Sequence, residues 1–322
     1  MRPTARAALA AFAAFCALAC GRKNHSAESP GDGGGDDATS DSGTDPGDGP
    51  ATGHDDAGEA GFLGDGSTVS NCAPEASLIY VATEERDLYS FDPTTNTFTL
   101  LATIDCAAGS YVNSMAIDRS ANAWVNYGDG SLWEVNTKTG ACTSTGFVPN
   151  QGGIGLFGMG FAAKVSGGNA ETLFIDDLNG GGLGFIDLST MILERFGPFT
   201  GDLADRSAEL TGTGDARLFG FFAGSPLGDA GSASVTQIDP TSEAPLTQYP
   251  LPTVDTGSDW AFSFWGGDFY LYTADKYDQN APDTVVTRFR PSDGSVTVID
   301  PQLGFRIVGA GSSTCAPTTA TQ

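Results

Sequence analysis

One phrase recurs five times in this chain, and its period restricts the fold more than any other feature. A strand is followed by a turn rich in Asp, Pro, Thr, Asn or Gly, and then by a returning strand. It reads DLYSFDPTTNTFTLL, SLWEVNTKTGACTST, GLGFIDLSTMILERF, SVTQIDPTSEAPLTQY and VVTRFRPSDGSVTVI. Asp92, Asn136, Asp187, Asp239 and Arg290 hold the equivalent place, at successive separations of 44, 51, 52 and 51 residues. A period of roughly 40 to 50 residues is that of four-stranded propeller blades. Asp or Asn ends such a strand by bonding its own backbone, and Pro or Gly sets the reversal.

Two more strands precede each phrase. The nearer is apolar: LIYVAT, AWVNYG, ETLFIDD, RLFGFFAG and FYLYTA. The farther is rich in small residues: SMAID, FGMGFAA, AELTGTG, WAFSFWGG and IVGAGSS. Small residues suit the crowded inner strands around a propeller axis. The order is offset at the two ends. The repeat region opens on a second strand, LIYVAT, and finishes on an inner strand, FRIVGAGSSTC. The last strand therefore completes blade one, and closing the ring removes open sheet edges. The expected fold is an all-β, five-bladed β-propeller over residues 72–317, with a short disordered tail at 318–322. No segment shows a sustained 3.6-residue apolar period that would suggest a long helix.

The cysteines fit this ring. Cys72 lies just before the first strand and Cys315 just after the last, so a Cys72–Cys315 bond would lock the seam. Cys106 and Cys142 then remain for each other, joining the first two blades. Four cysteines allow three connectivities, so this pairing rests on the blade order.

Ahead of the domain lie two segments of different character. Residues 1–19 have Arg2 and Arg6 before an unbroken apolar run of thirteen residues, Ala7 to Ala19. That length suits a signal-peptide core and is too short to span a bilayer as a helix. Residues 20–71 are low in complexity, with eleven acidic residues against two basic from Gly21 to Asn71. Such a stretch buries too little apolar surface to offset the entropy of ordering, so it is expected to be a disordered acidic tether. The domain itself carries 29 acidic residues against eleven basic. No basic run exists to neutralise phosphates, which argues against nucleic acid as a partner. The same lack argues against adhesion to an anionic lipid surface through charge.

The stretch Ala17-Leu18-Ala19-Cys20-Gly21 resembles the lipobox of bacterial lipoproteins, although Ala17 stands where that family prefers Leu. The resemblance implies that Cys20 is lipidated and that the chain is tethered to a membrane by that anchor alone. Gly21, instead of Asp, follows the cysteine, which in the lipoprotein family implies the outer membrane. Ordinary signal cleavage after Ala17-Leu18-Ala19 is the alternative. The phrases FGMGF and AELTGTGDARLFGFF, with the small-rich strands, resemble a group of uncharacterised propeller lipoproteins of Gram-negative bacteria. That group offers no activity to carry over. A monomer is expected.

The search for chemistry is shaped by the histidines. Both, His25 and His54, lie in the tether, so the domain has no histidine for a triad, a general base or a metal site. Carboxylates remain. Glu209 opens one inner strand and Asp259 the next, beside Trp260, so they are the candidate acid/base pair of a hydrolase or lyase acting on an envelope polysaccharide. Each also suits a plain strand-end role. Asp176-Asp177-x-Asn179 and the loop Asp275 to Asp283 offer oxygen ligands for calcium, and equally read as solvated turns. NQGGIGLFGMG and NGGGLG are not phosphate loops, because no helix and no Lys-Ser/Thr follows.

The leading expectation is a binding face without catalysis, for a glycan or a protein. Connections between blades, and between second and third strands, emerge on one rim. It carries Tyr111, Asn113, Gln151, Phe157, Asp259, Trp260, Tyr277 and Arg306. Aromatics beside amides and carboxylates suit sugar or peptide recognition. An enzyme predicts Glu209 and Asp259 converging in an open central pocket; a binding module predicts a shallow aromatic rim without such a pair.

Overall fold

The computed structural model describes residues 71–224, 233–275, 277 and 283–319. The signal segment 1–19, Cys20, the tether as far as residue 70, the end of the tail from residue 320 and most of the Asp275–Asp283 loop lie outside the described residues.

Among the described residues, the domain is built from five four-stranded antiparallel sheets. Blade 1 holds β1 (Ile79–Thr83), β2 (Asp87–Asp92) and β3 (Thr97–Thr103). Blade 2 holds β4 (Val112–Ile117), β5 (Asn122–Tyr127), β6 (Leu132–Asn136) and β7 (Cys142–Ser144). In blade 3 the strands are β8 (Phe157–Ala163), β9 (Glu171–Asp177), β10 (Gly182–Asp187) and β11 (Ile192–Gly197). Blade 4 follows with β12 (Ala208–Gly212), β13 (Leu218–Phe222), β14 (Ser234–Ile238) and β15 (Pro245–Pro250). Blade 5 consists of β16 (Asp259–Trp265), β17 (Asp268–Ala274), β18 (Val285–Arg290) and β19 (Ser295–Asp300). The last strand, β20 (Ile307–Ser312), pairs antiparallel with β1 and is the inner strand of blade 1. Ile79 faces Ser312 and Val81 faces Ala310 in that ladder. The ring is a five-bladed β-propeller closed by its C-terminal strand.

Burial grades outward along each blade. The inner strands β8 and β12 and the second strands β1 and β13 are buried at every position, whereas β3 and β15 are exposed along most of their length. The small residues of the inner strands have a geometric reason. A Cβ on Gly158 would stand 2.0 Å from the Ala208 carbonyl oxygen, and one on Gly160 would stand 2.7 Å from that of Leu210. Neighbouring inner strands thus pack backbone against backbone, which no side chain permits. Farther from the axis, large side chains fill the wedge between blades. Ile79, Val81 and Phe91 of blade 1 pack with Tyr270, Tyr272 and Val286 of blade 5, and corresponding clusters lie between each other adjacent pair.

The recurring turn works as its residue types require. The side chains of Asp92, Asn136, Asp187 and Asp239 each accept a bond from the backbone N–H two residues on, at 2.8–3.0 Å. Arg290 cannot do so. It forks onto Asp268 at 3.0 and 2.9 Å, and Asp293 takes over the turn by accepting from the Ser295 N–H. Cys72 is bonded to Cys315, with Cα atoms 5.9 Å apart, and Cys106 to Cys142. The first bond spans 243 residues and pins the seam that β20 and β1 close. Disulfides of this kind persist in oxidising compartments, which is where exported chains fold. No helix among the described residues is long and apolar enough to cross a membrane.

Candidate functional site

The five inner strands all begin at the same end of the ring, at Val112, Phe157, Ala208, Asp259 and Ile307. The second strands end there, because each pairs antiparallel with its inner strand. Side chains at these strand ends converge on the axis and line a pocket of about 360 Å³. Its walls are Glu84, Tyr111, Val112, Asn113, Leu178, Glu209, Ser258, Asp259, Trp260 and Val308. The volume falls within the ~300–1,000 Å³ of small-molecule sites.

Glu209 sits in the wall at 3% exposure. It belongs to blade 4, yet its Oε2 accepts a 2.6 Å bond from the Ser114 hydroxyl of blade 2, across the ring. One layer farther in, the Thr211 and Ser312 hydroxyls meet at 3.3 Å, linking blades 4 and 1. These crossings fill the axis beneath the pocket. Burial pushes the Glu209 carboxyl well above the usual carboxylate range, against the pull of the Ser114 bond, and the nearby Asp176 carboxyl adds to the rise. Asp176 is fully buried on β9 and accepts the Ala208 N–H at 2.6 Å, while its Oδ1 has no partner among the described residues. Burial raises this carboxyl too.

The mouth of the pocket is organised by Arg306. Its Nε lies 3.3 Å from Glu84 Oε2, and its Nη1 donates to Asp259 Oδ2 at 3.4 Å. The three charged groups come from the turn after β1, the start of β16 and the residue before β20. Tyr111 is 55% exposed, and its ring lies against Gly128, where an added Cβ would come within 2.5 Å of it. The Gly128 N–H donates to the Tyr111 carbonyl at 2.8 Å, so the same glycine holds the backbone and seats the ring. Trp260 presents its body to the pocket, while its Nε1 is buried and has no partner among the described residues. Asn113 lines the wall, but its amide donates to Asn126 Oδ1 at 3.0 Å and to the Phe157 carbonyl at 3.2 Å, tying blade 2 to blade 3.

Of the rim residues expected from the sequence, Tyr111, Asn113, Asp259 and Trp260 come together, with Arg306 paired to two groups of the same wall. Glu209 and Asp259 share the pocket. Three residues are elsewhere. Gln151 lies in the turn before β8, where its amide donates to the Met191 carbonyl and accepts from the Leu193 N–H, so it braces the outer strand of blade 3. Phe157 is buried edge-on against Phe147 in the wedge between blades 2 and 3. Tyr277 is 80% exposed and does not line the pocket. Sequence reasoning did not place Glu84 or Ser258 in this wall, and it read Asp176 as a calcium ligand, not as a neighbour of Glu209. Glu84 and Leu178 each follow directly on a second strand, a place the repeat itself marks as facing the axis.

The calcium readings fare differently. Asp176 and Asp177 are successive strand residues and point to opposite faces. Asp177 Oδ1 accepts the backbone N–H and the side-chain amide of Asn179, a turn arrangement. Among the described residues, no three His, Cys, Asp or Glu side chains gather as a metal cage. A second cavity, of about 340 Å³, lies between blades 3 and 4 and is walled by Phe174, Phe185, Phe196 and Leu218, with Lys164 and Thr241 at its edge.

No protein-family model matches this chain, and no curated protein matches it. Solved structures do. One chain of a nidogen/laminin complex is 10% identical, with 73% of this chain and 97% of that chain covered and a TM-score of 0.46. A calcium-binding protein, regucalcin, from Agrobacterium tumefaciens is 16% identical over 74% of this chain and 76% of its own, with a TM-score of 0.40. Hydrazine synthase of Kuenenia stuttgartiensis is 15% identical over 70% and 64%, with a TM-score of 0.37. At such identities and scores, none of them bears on what this pocket holds.

Proposed function

We propose that the chain is an exported lipoprotein of the outer membrane whose propeller binds an envelope glycan in the axial pocket. The lipid sits on Cys20, and residues 21–71 act as a spacer. Two disulfides and the lipobox-like stretch support export and anchoring. The observation that carries the binding reading is the wall itself. Two aromatic side chains, Tyr111 and Trp260, stand beside Ser258, Asn113, Glu84 and Asp259 around one concave pocket on a closed ring. Aromatic faces stack on the apolar faces of sugar rings, and fixed polar groups at the edge read hydroxyls. A concave pocket favours a small ring-shaped ligand over a flat protein surface. Glycan binding by the full chain is expected to weaken more than tenfold in Trp260→Ala and Tyr111→Ala, with the thermal transition retained. Undiminished binding in both variants would sink the reading. Incorporation of labelled palmitate, lost in Cys20→Ala, tests the anchor.

A second reading is favoured by one observation: Glu209 is a buried carboxyl with a raised proton affinity in the same pocket as Asp259. That is what a general acid requires, with Asp259 as its partner carboxylate. This pairing is richer than the shallow aromatic rim expected of a pure binding module. Glu209→Gln separates the readings. Under binding alone, the variant retains affinity and no turnover of envelope polysaccharide is seen in either protein. Under acid catalysis, wild-type turnover is detectable and disappears in the variant while affinity remains.

A further inference from the structure

The second cavity, between blades 3 and 4, differs from the axial pocket in its chemistry. Small residues at Ala162, Ala163 and Ala216 leave about 340 Å³ of space in this wedge. The wedge between blades 5 and 1 holds larger side chains. There Tyr89 stacks on Phe305 with ring centroids 4.4 Å apart, and Phe98 meets the same ring edge-on. In the blade 3 wall, Thr172 and Phe174 share one face of β9, and Phe174 pairs with Phe185 on β10. Phe196, 40% exposed on β11, lies 5.3 Å from Phe185 and carries the aromatic wall out to the surface. The charged residues of the two sites have opposite signs. Glu84, Glu209 and Asp259 line the axial pocket, whereas Lys164 lines this cavity and no Asp or Glu does. In a chain of 40 acidic residues against 15 basic, a wall without carboxylates stands apart. The carboxylates nearest in sequence are engaged by other groups. Glu171 accepts from the Arg119 N–H and the Thr314 hydroxyl, Asp215 pairs with Arg217 at 2.9 Å, and Asp239 accepts from the Thr241 N–H and hydroxyl. Lys164 is exposed, and among the described residues its ammonium pairs with no carboxylate, whereas that of Lys138 lies 2.6 Å from Glu75.

We propose that the cavity between blades 3 and 4 binds a small aromatic carboxylic acid, with the ring held among Phe174, Phe185 and Phe196 and the carboxylate received by Lys164. This site is independent of the glycan reading, because the two sites share no lining residue. Lys164 follows directly on β8, and the inner strands begin at the pocket end, so it stands at the opposite end of the ring. Aromatic walls hold a ring through edge and offset contacts in addition to the apolar area they bury. The formal charge of −25 repels anions from the surface at large, so a carboxylate gains only where a cation stands without a carboxylate beside it. Thr172 offers a hydroxyl on the same wall. An uncharged analogue would bury the same ring without the ion pair, and a cationic analogue would meet Lys164 with like charge.

The test is calorimetric titration of the full chain, disulfides intact, with indoleacetate, indoleacetamide, tryptamine and octanoate. Indoleacetate is expected to bind about fivefold tighter than indoleacetamide, the size of one partly exposed ion pair, and tryptamine more weakly than either. Lys164→Gln, at an exposed position, should keep the thermal transition and bring the acid and the amide within about twofold of each other. Raised salt should narrow the same gap. Phe196→Ala should weaken the acid and the amide alike, by about threefold or more, and Trp260→Ala should change neither. A preference for the acid that survives Lys164→Gln, or equal or tighter binding of the amide or the amine, overturns the proposal. Tighter binding of octanoate overturns it as well, because a chain and not a ring would then fit the cavity. Indoleacetate binding that is lost in Trp260→Ala puts the acid in the axial pocket, and no binding of indoleacetate leaves the cavity without this ligand class; either result overturns the proposal.

Discussion

Two glutamates, Glu171 half-buried and Glu209 fully buried, lie at opposite ends of the ring, and the contrast between them separates an end where the blades are stitched together from the end that holds the axial pocket. Glu171 opens β9 and pairs with Ala163, the last residue of β8. One of its oxygens accepts the Arg119 backbone N–H at 3.1 Å, and the other accepts the Thr314 hydroxyl at 2.9 Å. The Arg119 guanidinium donates to the same Thr314 and to Asn169. Residues from blades 2 and 3 and from just beyond β20 are stitched into one network, beside the Cys72–Cys315 bond. Glu209 is more deeply buried, but it faces a cavity, and its partner Ser114 reaches it across the axis. The same kind of side chain is mortar at one end and lines a pocket at the other. The difference lies in whether the surroundings close over the carboxyl as a network of loops or leave a cavity beside it.

The largest expected effect tests the stitched end. Replacing Cys72 and Cys315 together by Ser releases the seam, and the chain-entropy argument gives a loss of about 5 kcal/mol for so long a loop. Denaturant unfolding should show this loss, and a change below about 1 kcal/mol would mean that β20 holds the ring closed without help from the disulfide. The bond between Cys106 and Cys142 closes a shorter loop and should contribute less.

An intermediate effect is expected in the pH dependence. Burial raises Glu171 to about 7, against the pull of the Thr314 and Arg119 bonds, and it raises Glu209 and Asp176 as well. A carboxyl raised on folding contributes stability that is fully present below its unfolded value near 4.5 and is lost as pH climbs through its folded value. The turn carboxylates Asp92, Asp187 and Asp239 are held below the usual range, mainly by bonds to the following Thr and Ser residues, so their contribution is lost only as pH falls through their lowered values. The thermal midpoint should therefore rise as pH is lowered from 8 to about 5 and fall again in stronger acid. Glu171→Gln should flatten the limb near pH 7 and leave ligand affinity alone. A midpoint that rises steadily from pH 5 to 8 would contradict this account of the buried carboxyls.

The smallest effect probes the open end. Gly128→Ala puts a methyl where the Tyr111 ring now lies. Stability should change by no more than about 1 kcal/mol. The displaced ring should weaken ligand binding severalfold, through a faster off-rate. If affinity is unchanged, Tyr111 is not part of the ligand's contact surface.

The repeat and the offset at its two ends were legible because they are local, and the pairing of the four domain cysteines followed from the blade order that they set. Alternating apolar residues, Asx turns and Gly-rich strands repeat wherever a blade repeats, and closure follows from counting strands. Part of the site was legible for the same reason. Tyr111, Asn113, Asp259 and Trp260 sit where inner strands begin, and that place recurs in each blade. Gln151 shares the position but turns outward, because the chain before β8 makes a short 3-10 turn that carries its amide to β11. Phe157 shares it too, but alternation along the strand sends its ring into the wedge between blades. Glu84 went unnoticed because its residue type does not distinguish it from the acidic residues scattered through the chain; only its place directly after a second strand marks it.

The amino-acid sequence alone determined the number of blades, the seam and the bonds that pin it, since each depends on residue types recurring at fixed intervals along one chain. Only the tertiary structure decided which carboxyls meet: that Glu209 reaches Ser114 across the axis, that Asp176 lies near enough to raise it, and that one arginine serves both Glu84 and Asp259. Those contacts join residues from different blades, and their energies depend on burial and on distances of a few ångströms, which no periodicity in the sequence encodes.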